Sequence, residues 1–121
     1  MKDVMFVISL SSMLVHELDA MRCKEWRIFP GLSKLSDKMG ERVFILAHLP
    51  LFIWIFYFLF NDSSASSFRQ GFCVFAMIHL MLHIAFLFHP RNQFKDLISW
   101  LPIILSALSA LLSALSALLS R

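Results

Sequence analysis

The chain has 121 residues, 59% of them apolar and 16% charged, with 13 Phe and three Gly. Soluble domains run at about 45–50% apolar and about 25% charged, so this surplus excludes an ordinary soluble globule, and its aromatic and aliphatic content excludes disorder. The net charge of +3, from 11 Lys/Arg against 8 Asp/Glu, is clustered between segments suited to lipid, which reads against nucleic-acid binding.

Hydropathy predicts four spans near 4–21, 43–60, 71–89 and 97–120, each of about the 20 residues that cross about 30 Å of hydrocarbon. The expected fold class is all-α: one integral membrane four-helix bundle over residues 1–121, with a short interfacial helix or loop after the first span. His16, Glu17 and Asp19 interrupt the end of the first span, and no small-residue cleavage site follows, so it reads as a permanent span rather than a signal peptide. Cys23 and Cys73 lie outside any CxxC motif and read as free thiols.

The connection 22–42 carries Arg22, Lys24, Arg27, Lys34, Lys38 and Arg42, and the connection 90–96 adds Arg91 and Lys95. The opposite side has Lys2, Arg69 and Arg121. This asymmetry makes the first and third connections cytoplasmic and both termini extracytoplasmic, in a multi-pass protein of the inner membrane. Pro30-Gly31 and Ser36-Asp37 are turn and cap signals bracketing the short interfacial element, and 61–67 is a polar outer turn. In the last span SALSALL occurs twice, placing Ser106, Ser109, Ser113, Ser116 and Ser120 on one helical stripe. Small residues on one stripe let helices approach closely, which suits packing and also offers a surface for a second copy of the chain.

Ionisable groups inside a span cost about 2.5–3.5 kcal/mol each on insertion scales, so each calls for a partner. In the first span His16 and Asp19 lie about 60° apart on one face, with Glu17 turned about 100° from His16. The second span carries His48, and the third carries His79 and His83, an i,i+4 pair. His16, His48 and His83 each sit about 9–11 Å inside the cytoplasmic boundary at about 1.5 Å per residue. Asp19 is one turn shallower and His79 one turn deeper.

Imidazoles with carboxylates at one depth are a ligand set for zinc or for non-haem iron. The expected site has His16, Asp19, His48 and His83 as ligands, His79 as a further imidazole, and Glu17 as a carboxylate that orients a ligand or handles a proton. A divalent metal there suits a hydrolase or oxidase acting on a membrane lipid or other membrane-soluble substrate. Two other readings use the same residues: a b-type haem electron carrier with axial histidines from facing helices, and an ion or proton carrier.

The stretch His16-Glu17-Leu18-Asp19-Ala20, followed by Glu25-Trp26-Arg27 and Pro30, resembles the signature of a family of small, four-span, mostly bacterial membrane proteins of uncharacterised function. The match is tight over residues 14–30, and His48, His79 and His83 fit the later part of that pattern. The SALSALL repeats have no counterpart in it. The resemblance implies that His16, Glu17, Asp19, Glu25, Trp26 and Arg27 act as one unit, which adds Glu25 to Glu17 as a candidate catalytic carboxylate.

Overall fold

A computed structural model describes residues 1–120; Arg121, and with it one basic residue of the predicted outer side, lies outside them. Four helices follow in chain order: α1 (Lys2–Arg22), α2 (Asp37–Phe60), α3 (Ala65–Ala85) and α4 (Leu97–Leu119). Each is long and apolar enough to cross a membrane, as in a multi-pass membrane protein. No strand occurs among the described residues.

Helices α1, α2 and α3 start before the predicted apolar segments and α4 starts at the predicted residue, because hydropathy marks what suits lipid and capping marks where a helix starts. Helix α2 begins six residues before the predicted span, where the Ser36 hydroxyl accepts from the Met39 amide at 3.4 Å and Asp37 stands in the positive first turn. Helix α4 begins where the Asp96 carboxylate accepts from the Ser99 amide at 2.9 Å. Helix α3 stops at Ala85, four residues short of the predicted end, and the 86–96 segment that follows buries Asn92 and Phe94. The expected interfacial element between α1 and α2 is two short 3-10 turns, Glu25–Arg27 and Leu32–Lys34, separated by Gly31 at φ +90.

Helices α1 and α4 form the tightest pair, and serine chemistry joins them. The Ser9 hydroxyl donates to the Ser106 carbonyl at 2.7 Å, and the Ser106 hydroxyl donates to the Ser9 carbonyl at 2.9 Å. Ser113 donates to the Lys2 carbonyl at 2.9 Å. Ser106, Ser109 and Ser113 are buried, so this part of the α4 stripe packs within the chain. Helix α3 packs on α4, whereas α2 stands apart: of its 24 residues only Gly40, Phe44 and Ile55 are buried.

Two apolar clusters fill the interior. One, around Phe6, Leu10, Met13, Phe72 and Ala110, occupies the half containing the N-terminus. The other, around Ala20, Trp26, Phe44, Phe94 and Ile103, occupies the half next to the basic connections. The histidines of α1 and α3 lie in the layer between them.

Candidate metal centre

His16 projects from α1, and His79 and His83 project from successive turns of α3. Their rings meet edge to face, with centroids 4.7 Å apart for His16–His79, 4.8 Å for His16–His83 and 4.6 Å for His79–His83. All three side chains are buried, His16 completely at 0% exposure.

A carboxylate joins them from outside the spans. After α1, Lys24 adopts the left-handed conformation at φ 51, which reverses the chain and sends Glu25 back toward the bundle. The two residues after Glu25 hold this turn in place: Trp26 Nε1 donates to Asp37 Oδ1 at 3.0 Å, and Arg27 Nε donates to the same oxygen at 2.8 Å. Trp26 itself lies against Gly40, where an added Cβ would come within 2.7 Å of its Cδ1. Only glycine lets α2 and the indole approach this closely.

Glu25 thus places Oε1 3.6 Å from His83 Nε2 and Oε2 3.9 Å from His16 Nε2. One ligand atom from each of His16, Glu25, His79 and His83 lies within 4.8 Å of the other three. These distances exceed hydrogen-bonding range. Neither ring nitrogen of His16 has a hydrogen-bond partner, nor does His79 Nδ1. Leaving a buried polar atom unpaired costs about 1–3 kcal/mol; a single ion would take one nitrogen from each ring, and so answers one His16 nitrogen and one of His79. Burial pushes the Glu25 carboxyl up to about 8, with the nearby Glu17 charge adding to the rise and His48 opposing it. A divalent cation reverses that preference and favours the carboxylate.

The site is closed toward the basic connections by Phe94, which is 0% exposed. Its ring lies 4.7 Å from that of His83 and 5.5 Å from that of His16. The Phe94 amide donates to Asn92 Oδ1 at 3.1 Å, and its carbonyl accepts from Trp100 Nε1 at 2.9 Å. Nothing in the sequence singles out Phe94, because one Phe among 13 in a polar connection carries no periodic signal.

The sequence expectation grouped Asp19 and His48 with His16 and His83; the structure gives each a different partner. Asp19 Oδ1 accepts from Arg22 Nε at 2.7 Å, an i,i+3 pair, and Oδ2 accepts from the Cys23 thiol at 3.5 Å. Arg22 Nη2 also reaches both Asp96 oxygens at 3.2 Å and Ser99 Oγ at 3.0 Å, so Asp19 belongs to a clamp between the end of α1 and the start of α4. His48 lies with Nε2 2.8 Å from Glu17 Oε2 and Nδ1 2.6 Å from the Phe44 carbonyl oxygen. Both partners are acceptors, so a ring that donates to both has no lone pair for a metal. His48 and Glu17 form a pair of their own beside the quartet.

The family model described as a family of unknown function (DUF6713) matches residues 2–120. No curated protein and no solved structure matches the chain.

Proposed function

We propose, from the premise that the chain belongs to this family of unknown function, that it is a membrane protein holding one divalent metal, zinc or iron, among His16, His79, His83 and Glu25, and that it acts as a metal-dependent enzyme on a membrane-soluble substrate. The observation that carries this reading is His16: a fully buried imidazole with both nitrogens unpartnered, in contact with two more buried imidazoles and facing a carboxylate. Three imidazole nitrogens and one carboxylate oxygen are a donor set for zinc or non-haem iron. A catalytic zinc keeps one position open for water or substrate, so this donor set would act through three imidazoles with Glu25 beside the ion, or through a fifth position with Glu25 bound.

A metal there would supply a Lewis acid, polarising a carbonyl or acidifying water near neutral pH. The chain's own residues do the rest. The three histidines would hold and orient, and Glu25 would complete the shell or take a proton beside it. Phe94 excludes water from the side of the basic connections. That side is cytoplasmic by its Lys and Arg content, so both termini are extracytoplasmic. Edge-to-face contact among the three rings favours a single ion over haem, since a macrocycle has no slot between them.

Elemental analysis of the detergent-purified protein tests the reading. About one zinc or iron per chain is expected. A Soret band would replace it with haem, and protein without metal that still conducts ions or protons in liposomes would replace it with a carrier.

A further inference from the structure

A crevice of about 450 Å³ runs between α1, α2 and α3 on the face away from α4. Leu10, Met13, Phe52, Ile55, Phe68 and Phe72 form much of its wall, and Glu17 is its one charged residue. Along α3 it extends from Ser64 to Phe75, which is about 16 Å of helix rise. Leu51 and Trp54 of α2 line it while standing 41% and 53% exposed, so it opens sideways where lipid chains would lie.

Its inner end adjoins the polar layer. Phe75 lines the crevice and lies 5.5 Å from the His79 ring, and Phe52 lines it and lies 5.6 Å from the His48 ring. Glu17 is shared between the two spaces: it lines the crevice, and its Oε2 accepts from His48. Gly71 lines the wall as well, and a Cβ there meets nothing within 4 Å.

We propose that this crevice is the seat of a single long alkyl or acyl chain whose head donates a hydrogen bond to Glu17, as a long-chain alcohol, amide or amine does. The apolar wall and its length select one extended chain. The acceptor at its end selects the head, since no Lys or Arg lines the crevice to receive a carboxylate or phosphate. That the chain is the substrate rests on the metal reading above, because only a metal beyond Glu17 gives the head a reaction to undergo. Chain binding itself does not depend on metal.

The test is saturable binding of radiolabelled hexadecanol to the full-length protein in digitonin, with hexadecylamine and hexadecanoate as competitors and metal content measured on the same samples. One site per chain is expected, with the amine displacing hexadecanol at least about tenfold more effectively than the carboxylate. Gly71→Phe places a ring in the crevice and should weaken binding at least tenfold with metal content unchanged, whereas Gly71→Ala should bind within about twofold of the parent. Glu17→Gln should erase the preference for amine over carboxylate. Binding unaffected by Gly71→Phe, or a carboxylate that competes as well as the amine, overturns the proposal. Normal chain binding in protein that holds no metal upholds the crevice and removes the metal reading alone.

Discussion

Protein carrying His16→Ala is expected to hold metal at least about 100-fold more weakly than the parent. Partners one bond further from a metal are worth about 10–100-fold in affinity, and a direct ligand is worth no less. His16 is the most enclosed of the quartet, so solvent does not reach in to replace it. His79→Ala and His83→Ala should behave alike. Glu17→Gln and His48→Ala should retain metal, because their hydrogen bonds lie beside the quartet rather than in it. Metal per chain after equilibration at a buffered free concentration separates the two groups. A loss in His48→Ala equal to that in His16→Ala would move His48 into the shell.

Metal should also hold the fold together. The quartet draws on α1, α3 and the turn that precedes α2, and it lies between the two apolar clusters. A ligand present at 100 times its dissociation constant stabilises the native state by about 2.7 kcal/mol, which for a chain of this size corresponds to about 10 °C in melting midpoint. Chelation should lower the midpoint by that amount, and zinc or iron should restore it. The same treatment of His16→Ala should move the midpoint by less than about 2 °C. An equal shift in both proteins would place the stabilising ion elsewhere.

Four helices long and apolar enough to cross a membrane were legible, because a bilayer would impose length and apolarity on every crossing segment and the sequence meets both conditions four times. Helix ends were less so. The start of α4 at Leu97 was read correctly, whereas α2 begins at Asp37 behind its Ser36 cap, six residues before the apolar stretch that hydropathy marks. Depth along each helix correctly brought His16 and His83 to one level, but depth says nothing of which way a ring turns or what else competes for it. Arg22, one turn beyond Asp19, takes that carboxylate, and Glu17 takes His48. Glu25 lies after the first span and by depth alone belongs at the surface; only its place in the resemblance marked it. The left-handed Lys24 and the Trp26–Asp37 and Arg27–Asp37 bonds, which turn it inward, are long-range or conformational facts that spacing does not encode.

The central claim is that three imidazoles from α1 and α3 share one ion, and X-ray absorption at the metal edge of the purified, metal-loaded protein tests it most directly. The expected spectrum has a shell of nitrogen and oxygen at about 2.0–2.1 Å, for zinc, with the outer-shell scattering of three imidazoles, unchanged in His48→Ala and Asp19→Asn. A shell with one imidazole or none, or one that loses an imidazole in His48→Ala, would contradict it.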